Sequence, residues 1–567
     1  MLNKIKKQLE SILTQAGVEE NIVFTKPPKL EMGDFAFACF ELAKKEGKNP
    51  AEVAKEMAEK MKENDIEIVE DVKAFGPYVN FFLDAKEVAK ITFEAVDENY
   101  GKHDIGKGKK VLVEFACPNP FKAFHLGHLK NLISGESVVR IFENAGYDVK
   151  RVNYQGDVGM HVAKALWGIF DLIKEFETMK EKELKERVEF LGRAYAHGAS
   201  YFEKDEESKQ EVIAYNDKVY EHDKGIEDVY NTARQWSLDY FAEIYARMGS
   251  SFDRLYFESE VFEKGVELVK KGQEKGIFRE SEGAVIFPGS EYDLHDRVYI
   301  NSKGFPTYDA KELALAEMHF KEHSPDKIIH VVGKEQTEYF KVAFKALEQI
   351  HKETIGKEHH LIGGFLQLKG DQKMSSRSGN IVTGDQLIDA VKVNISQIME
   401  ESDLPEDVNK NEIIEKVTNA ALKYTMLRAD VSKDVAFDIE ESVSVSGNSG
   451  PYLLYTVARI NSILEKVGNV DTLNIYPENI DETEKALLLS LGEYHKITAV
   501  AVEAMNPSVV AQYIFDVAQK FQSFYASCPV LQEEGDTKLF RLRLITAVRT
   551  VMVSGLGLLG IETVEAM

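Results

Sequence analysis

The chain has 567 residues, enough for about three or four domains, and its 44% hydrophobic and 29% charged residues are typical of soluble globular proteins. No apolar run reaches the roughly 18 residues of a membrane span, and three distant cysteines argue against a disulfide scaffold or a cysteine zinc site, which predicts a reducing cytoplasm. A net charge of -25 argues mildly against a nucleic-acid partner for the whole chain, although local basic surfaces would decide such contacts.

The N-terminal stretch, up to residue 108, is predicted to form an α+β domain. Apolar residues at helical spacing predict helices over Leu2–Ala16 and Pro50–Lys62. A later segment, AFGPYVNFFLD, predicts a turn followed by an aromatic strand. Core packing is the ordinary explanation of that strand. The alternative is a nucleic-acid surface on which Tyr78 stacks against an unpaired base and Asn80 contacts the edge of the base.

The clearest pattern in the chain is a strand, a loop, a helix and a second strand between Val111 and Tyr154. An apolar run from Val111 predicts a buried strand, and two prolines, Pro118 and Pro120, then force a turn. The tetrapeptide HLGH opens a long amphipathic helix, and DVKRVNY follows as the next strand. This order is typical of the βαβ unit of a parallel nucleotide-binding sheet.

The HLGH tetrapeptide at this helix start predicts a phosphate site. Helix N-termini carry unpaired N–H groups and a partial positive charge, so anions bind there. His125 and His128 add hydrogen-bond donors one turn apart, and Gly127 lets a flat adenine approach the backbone. The pattern therefore indicates an enzyme that catalyses attack on the α-phosphate of ATP.

Residues 109–395 are predicted to form an α/β domain with a long helical insertion at about 162–248. The insertion lacks the many short strands expected of a separate hydrolytic editing barrel. After it, strand and helix patterns alternate as in a doubly wound sheet. The predicted strands are Gly283–Pro288, Val298–Ile300, Lys327–Val332 and Leu361–Leu368, and the predicted helices are Asp309–Phe320 and Gln336–His351.

A second phosphate-binding pattern is the loop KMSSRSG, from Lys373 to Gly379. Its two cations, three serine hydroxyls and flanking glycines suit a mobile clamp on a polyphosphate. A lone basic loop of this kind is more often solvated surface. Because it follows the HLGH pattern in the right order on a parallel sheet, the functional interpretation is favoured here.

Residues 396–567 are predicted to be almost entirely helical. Apolar residues recur at helical spacing throughout, and the pattern predicts a C-terminal α-helical domain. The predicted helices are Asn411–Arg428, Tyr452–Gly468, Asp481–Ala504, Ser508–Cys528 and Thr537–Leu558.

HLGH and KMSSR resemble the HIGH and KMSKS signatures of class I aminoacyl-tRNA synthetases. The surrounding segments resemble the arginyl-tRNA synthetase family over essentially the whole chain; they are EFACPNPFKAFHLGHLKN, YQGDVGMH, GFPTYDAKELALA, VVGKEQTEYF, GNSGPYLLYTVARI and RLRLITAVRTVMVSGLGLLGI. The resemblance implies a Rossmann-like catalytic domain, an N-terminal α+β tRNA-contacting domain and an α-helical anticodon-binding domain. It implies activation of L-arginine with ATP and transfer of arginine to the 3′-terminal ribose of tRNA(Arg).

An arginine pocket needs carboxylates, because a guanidinium is always charged and offers five fixed donors. Tyr308 and Glu312 lie one turn apart on a predicted helix, and the resemblance implies that they bind the guanidinium. The family usually has Asp at the position of Glu312, and the plain alternative is a solvated helix residue. The remaining implied arginine-binding residues are Glu114, Asn119, His125 and Gln336.

The resemblance also implies the ATP site, with Mg²⁺ bound to ATP and no protein-bound zinc. His125 and His128 are expected to stabilise charge on the phosphates, and Lys373 and Arg377 to hold the β and γ phosphates. Ser376 stands where the KMSKS pattern has its second lysine, and Lys122 is the predicted substitute. The implied ATP-binding residues are Asn119, Phe124, His125, Gly127, His128, Lys373, Met374 and Ser375.

For tRNA, Tyr452 and Tyr455 stand one turn apart at a helix start, a spacing suited to packing anticodon bases. Core packing is the alternative for such a pair. Asn448 and Arg459 are expected to add edge and phosphate contacts, and the last residue, Met567, resembles the family's terminal methionine near the anticodon. The expected partners are tRNA(Arg), L-arginine and ATP, and the expected state is a monomer.

Two other functions are compatible with parts of the pattern. Another HxGH transferase, such as a cytidylyltransferase or a pantothenate-type ligase, would generally be shorter and would lack the helical tRNA domain. A catalytically inactive paralogue could bind RNA as a regulator. The Tyr308 and Glu312 pair argues against another HxGH transferase, and the intact HLGH, Glu114, Tyr308 and Gln336 argue against an inactive paralogue.

Overall fold

The computed structural model describes residues 2–19, 22–62, 67–370, 382–400, 408–468 and 475–567. The N-terminal unit packs helices against an antiparallel sheet with strand order β1-β2-β4-β3, as the α+β prediction requires. Its elements are α1 (Leu2–Gln15), β1 (Phe24–Thr25), β2 (Phe35–Ala38), α2 (Phe40–Glu46), α3 (Pro50–Lys62), β3 (Val69–Phe75), β4 (Tyr78–Leu83) and α4 (Ala85–Ala95).

The predicted βαβ unit is confirmed. It consists of β5 (Lys110–Glu114), α5 (Leu126–Asn144) and β6 (Asp148–Gln155), with β5 and β6 parallel. Val111, Leu112 and Val113 are fully buried, because helices cover both faces of such a sheet.

The insertion that follows is a layer of helices with its own apolar core. Its elements are α6 (Met160–Asp171), α7 (Ile173–Met179), α8 (Leu184–Phe202), α9 (Glu206–Tyr220) and α10 (Lys224–Arg247). Helices α6 and α8 approach so closely that two glycines face the opposite backbone. A Cβ on Gly198 of α8 would lie 1.9 Å from the carbonyl oxygen of Lys164, and a Cβ on Gly168 of α6 would lie 2.0 Å from that of Ala194.

Gly198→Ala is therefore expected to destabilise the insertion by about 1–3 kcal/mol, since the two helices must separate to admit a methyl group. Gly192→Ala in the same helix is the matched control, because its Cβ would meet nothing within 4 Å. The control should gain about 0.5–1 kcal/mol from helix propensity. Calorimetric unfolding of both variants tests this, and equal transition temperatures would contradict it.

The rest of the α/β domain completes the parallel sheet. Its elements are β7 (Arg254–Phe257), α11 (Glu258–Glu274), β8 (Arg279–Ser281), β9 (Ala284–Phe287), β10 (Arg297–Ile300), α12 (Tyr308–His323), β11 (Lys327–Gly333), α13 (Thr337–Ile350), β12 (Glu358–Gly363) and β13 (Leu366–Leu368). Within the described residues, the parallel sheet has the order β12-β11-β5-β6-β7. The strand order reverses between β5 and β11, and ligands of such sheets bind at the carboxyl ends of the strands beside this point.

Three strand predictions after the insertion need correction. The segments at 283–288 and 298–300 form β9 and β10 of a separate antiparallel sheet. In this sheet a tight turn at Glu282 and Gly283, which both adopt positive φ, joins β8 to β9. In the parallel sheet, the strand that pairs with β6 is β7, which was not predicted. The predicted strand Leu361–Leu368 is interrupted, since β13 leaves the sheet and pairs with a strand of the C-terminal part.

The C-terminal part is helical. Its elements are α14 (Gly384–Glu400), α15 (Lys410–Leu427), β14 (Val435–Phe437), α16 (Ile439–Ser442), α17 (Gly450–Val467), α18 (Glu482–Leu491), α19 (Tyr494–Ala504), α20 (Ser508–Ser527) and α21 (Gly535–Leu558). Helix α14 was not predicted and runs across the expected boundary at residue 395. The single helix predicted over Asp481–Ala504 is two helices, α18 and α19. A buried ion pair of 2.9 Å between Asp34 and Lys485 fastens the N-terminal unit to this part. None of the helices in the described ranges has the length and apolar character needed to cross a bilayer.

Candidate active site

The HLGH segment caps the start of α5 with its own imidazole rings. His125 Nδ1 accepts from the backbone N–H groups of Gly127 (3.1 Å) and His128 (3.4 Å), and the His125 N–H donates to His128 Nδ1 (3.3 Å). The two rings stack with centroids 3.6 Å apart. Because both Nδ1 atoms are acceptors, each ring carries its proton on Nε2.

Both rings are neutral donors at neutral pH. Burial, reinforced by the charge of Lys122, lowers the pKa of His125 to about 4. Burial also lowers the pKa of His128 well below its ordinary value. Each histidine can therefore offer an Nε2–H group to a phosphate oxygen without carrying a charge of its own.

Lys122 lies in the same region. Burial and the nearby Lys164 lower the pKa of Lys122, and its charge acts on His125, His128 and His161. Within the described ranges, no carboxylate oxygen lies within 4 Å of its ammonium. A cavity of about 400 Å³ beside it separates α8 from α14. The ammonium lies 5.8 Å from the centre of the Tyr195 ring, and Glu258 attracts it without forming an ion pair.

The predicted phosphate clamp falls outside the described residues, and so do its members Lys373, Met374, Ser375 and Arg377. The chain resumes at Val382, and Thr383 forms an antiparallel bridge with His125. The ring of Phe124 is fully buried against His128, Phe241 and Tyr245, and its carbonyl oxygen accepts from the N–H of Gly384 (2.7 Å). Phe124 therefore supports the histidine pair from behind, and its contact with ATP stays a prediction.

The two carboxylates expected to bind arginine converge, although 198 positions separate them in the chain. Glu114 ends β5 and Glu312 lies in α12. One carboxylate oxygen of each residue lies within 4.8 Å of the other and of a ring nitrogen of His330. Tyr339 donates to Glu312 Oε2 (3.3 Å), and its ring lies 4.9 Å from that of Tyr308. Tyr308 and Glu312 thus both approach Tyr339, and the prediction that they bind one guanidinium stays a prediction.

Some buried polar atoms at this pocket have no hydrogen-bond partner among the described residues. They are Glu114 Oε2 and Tyr154 OH; Gln336 Oε1, just before α13, is also buried without a partner among the described residues. An unpaired buried polar atom costs free energy, so such a cluster points to a polar ligand that completes it. The side-chain oxygen of Asn119, Oδ1, already accepts a hydrogen bond from the N–H of Gly156 (3.1 Å).

The electrostatics of the pocket favour a cation. Burial, and then repulsion by Glu114, raises the pKa of Glu312 to about 8. The pKa of Glu114 is instead lowered, because His330 outweighs the opposing effect of burial. A positive ligand between the two carboxylates would relieve their repulsion.

Sequence reasoning missed several residues around this pocket. Glu258 directly follows β7 and is buried in an ion pair with Lys311, and His330 and Glu358 lie on β11 and β12. Glu258 carried a usable signal, since it ends a strand as Glu114 does. It was not found because β7 itself was not recognised.

The N-terminal candidates for tRNA contact differ from each other. Tyr78 is partly exposed and packs edge-on against Phe40. Asn80 is 1% exposed, and its amide donates to the carbonyl oxygen of Met32 (2.6 Å), so the expectation that it contacts a base edge is corrected. Asn80 instead holds the preceding loop against β4.

The C-terminal candidates share one region at and before the start of α17. Asn448 is exposed and accepts from Tyr424 OH through its Oδ1 (2.5 Å), whereas Tyr452 and Tyr455 are partly buried. Arg459 donates to Tyr455 OH (2.8 Å), and its guanidinium lies 4.7 Å from the centre of that ring. The last residue, Met567, packs partly buried against the helical core.

Models of three protein families match this chain. The catalytic domain of class I (R) tRNA synthetases matches residues 90–439, the DALR anticodon binding domain matches 453–567, and the arginyl tRNA synthetase N terminal domain matches 1–83. Together these matches account for each of the structural units described above.

Similar proteins and structures agree with these matches. The arginine–tRNA ligases of Clostridium acetobutylicum (33% identity, 95% of both chains) and Clostridium beijerinckii (34% identity, 99% of this chain and 98% of the relative) are similar over nearly their whole lengths. The arginyl-tRNA synthetase structures of Thermus thermophilus (24% identity, TM-score 0.78, all of both chains) and Plasmodium falciparum (21% identity, TM-score 0.74, 100% of this chain and 99% of that one) share the fold. The chain belongs to the arginyl-tRNA synthetase family of class I aminoacyl-tRNA synthetases.

Proposed function

We propose that this chain is an arginine–tRNA ligase that activates L-arginine with ATP and then transfers arginine to the 3′-terminal ribose of tRNA(Arg), releasing AMP and pyrophosphate. The observation that carries the proposal is the convergence of Glu114 and Glu312 in one buried pocket on the sheet whose β5 leads into the histidine-capped helix. The named function of the Clostridium relatives supports the same reaction.

The pocket suits an arginine side chain. Glu312, ionised when the ligand is present, faces the guanidinium together with Tyr308, and the free Oε1 of Gln336 adds an acceptor. Glu114 and Asn119 hold the other polar groups, including the α-amino group. A site built from buried acceptors rejects ligands that lack matching donors by roughly 10⁴-fold or more, which suits an enzyme without an editing barrel.

The first reaction is an in-line attack of the arginine carboxylate on the α-phosphorus of ATP, with pyrophosphate leaving as its Mg²⁺ complex. Nothing in the protein becomes covalent, so positioning and charge stabilisation supply the rate. The Nε2–H groups of His125 and His128 donate to the phosphates, Gly127 leaves space for the nucleotide, and Lys122 supplies a cation. Lys373 and Arg377 hold the β and γ phosphates, with Met374 and Ser375 beside them.

The second reaction needs a bound tRNA(Arg). Tyr452, Tyr455, Asn448 and Arg459 form the anticodon surface, with Met567 nearby in the same helical part, and Tyr78 contacts the tRNA from the N-terminal unit. The partly exposed tyrosines and the adjacent guanidinium suit stacking on unpaired bases.

Tyr452→Ala is expected to raise the KM for tRNA about 5- to 100-fold while kcat at saturating tRNA stays within about threefold, because one base-stacking contact is worth about 1–3 kcal/mol. Tyr215→Ala on α9 of the insertion is the control, since it also removes a partly buried tyrosine packed on a phenylalanine. Aminoacylation kinetics measure both. An unchanged KM for tRNA in the Tyr452 variant would remove this residue from the anticodon surface.

ATP–pyrophosphate exchange with each amino acid, with and without tRNA, tests the proposal as a whole. Arginine-dependent exchange supports a ligase, exchange or nucleotidyl transfer with an unrelated acid supports another HxGH transferase, and no exchange supports an RNA-binding paralogue. The proposal includes a monomer, and it includes a reducing cytoplasm, which fits the unpaired state of Cys39, Cys117 and Cys528.

A further inference from the structure

Three buried, charged side chains lie in a row beside the arginine pocket: Glu114, His330 and Glu358. His330 Nδ1 lies 3.0 Å from Glu114 Oε1, and His330 Nε2 lies 2.8 Å from Glu358 Oε2. All three side chains are 3–5% exposed. The register of the parallel strands creates this arrangement, because His330 on β11 stands directly opposite Glu114 on β5.

The geometry makes His330 a cation. An ionised carboxylate only accepts hydrogen bonds, and a neutral imidazole has a single N–H donor. With an ionised carboxylate oxygen at hydrogen-bond distance from each ring nitrogen, both nitrogens carry protons; a neutral ring would instead need one of the two carboxyls to be protonated and to donate. Burial opposes this charge, but Glu114 and Glu358 outweigh burial and raise the pKa of His330 well above its ordinary value.

His330 also leaves Glu114 poised for the ligand. One oxygen of Glu114 is held by the imidazolium, and the other, Oε2, has no partner among the described residues. Two buried carboxylates within 4.8 Å of each other would otherwise share a proton. The cation therefore decides which of the two carboxylates keeps its charge.

We propose that His330, oriented by Glu358, is a positioning residue that keeps Glu114 ionised, so that Glu312 alone exchanges a proton when arginine binds. This rests on the proposed function and adds to it a pH dependence. When arginine binds, Glu312 releases its proton to the solvent. Arginine affinity then rises with pH until Glu312 is ionised in the empty site.

Most of the other titratable groups packed around the cluster stay neutral near neutral pH. The exception is Glu258, whose pKa is raised by burial and which is held in an ion pair with Lys311 that the variants below leave in place. Burial raises the pKa values of the tyrosines and lowers those of the histidines. These groups are Tyr154 on β6, Tyr308 and His319 on α12, Tyr339 on α13, and His359 and His360 on β12. None of them supplies the exchangeable proton that the proposal assigns to Glu312.

The first test is calorimetric titration of the full chain with L-arginine in buffers of different ionisation enthalpy. With the pKa of Glu312 at about 8, binding at about pH 7 should release about 0.9 proton. The apparent Kd should fall by up to about tenfold per pH unit below about pH 8 and level off above it. Arginine that binds without releasing a proton would overturn the inference and leave the proposed function standing.

The second test moves the pH at which the Kd levels off. His330→Gln/Glu358→Gln removes the cation without leaving Glu358 as an unpaired buried charge, and the levelling-off should move up by about one pH unit or more. His330→Lys keeps a cation, so its Kd should level off at nearly the same pH as that of the parent chain, even if its affinity for arginine differs. His359→Gln, a neutral histidine on the neighbouring strand, is the matched control.

A purely structural role for His330 would change the Kd equally at every pH. An unmoved or lowered levelling-off pH in the double variant would therefore overturn the inference. A parent chain that binds no arginine at all would overturn the proposed function, and the inference with it. If the double variant does not fold, the proton release of the parent chain and the profile of His330→Lys decide the matter.

Discussion

Glu312→Gln is expected to raise the KM for arginine roughly 30- to 1,000-fold in tRNA-dependent aminoacylation. Removing one charge from a buried, hydrogen-bonded ion pair costs about 2–4 kcal/mol, and each 1.4 kcal/mol corresponds to about tenfold in affinity. Glutamine keeps the size of the side chain and its contact with Tyr339, so the loss should be one of charge. The KM for ATP should stay within about threefold, because the phosphate site has donors of its own.

Two further variants sharpen this prediction. Glu317→Gln, on the same helix but 37% exposed, is the matched control and should leave arginine kinetics unchanged. Glu312→Asp restores the charge on a shorter side chain and should recover part of the loss. Near-normal arginine kinetics in Glu312→Gln, or efficient activation of lysine by the parent chain, would remove Glu312 from the guanidinium site.

Lys122→Met is expected to slow adenylate formation about 100- to 1,000-fold while the KM for arginine changes little. Ser376 leaves the KMSSR loop one lysine short of the KMSKS pattern, and Lys122 lies beside the histidine cap with no carboxylate partner in the described part of the chain. Loss of one preorganised donor to developing charge typically costs about this much in rate. Single-turnover measurement of adenylate formation with tRNA present gives the rate directly.

The control variant for Lys122 is at Lys185, which lines the same cavity. Lys185→Met removes an exposed lysine of α8 and should have no effect on this rate. Lys122→Arg keeps the charge and should restore part of the rate. Since Lys122 also lowers the pKa of His125, the rate should be compared over a range of pH. Equal rates in the Met variant and the parent chain at every pH would exclude the role.

Elements with strong local patterns were predicted within a few residues. The βαβ unit from β5 to β6, helix α3 and the long C-terminal helices all have apolar residues at regular spacing that tertiary contacts reinforce. The errors include the missed helices α11 and α14 and several short elements. Strand β7 has four residues and β13 has three, too few for a period to be read, and the hairpin of β8 and β9 depends on turn conformation at Glu282 and Gly283.

Residues of the candidate site could be predicted from the sequence only where they belong to a recognisable motif. The histidine pair was proposed from its place at a helix start, and Glu114, Tyr308 and Glu312 through the family resemblance. In the structure the two histidine rings stack, and Glu114 and Glu312 converge at His330. Asn80 was proposed from a local pattern as well, but packing covers it and its amide donates to the carbonyl oxygen of Met32. A motif specifies a residue type and its spacing, and it does not specify how much of the side chain the surrounding packing covers.

Amino-acid order by itself determined the parallel nucleotide-binding sheet, the helical C-terminal part and the kind of chemistry, because these follow from local periodicity and from short motifs at helix ends. Only the tertiary structure decided which charges meet. Glu114, His330 and Glu358 come from three strands, and their contact depends on the register between those strands, which no local pattern encodes. The strength of their interaction depends on exclusion of water, and burial is a property of the whole fold.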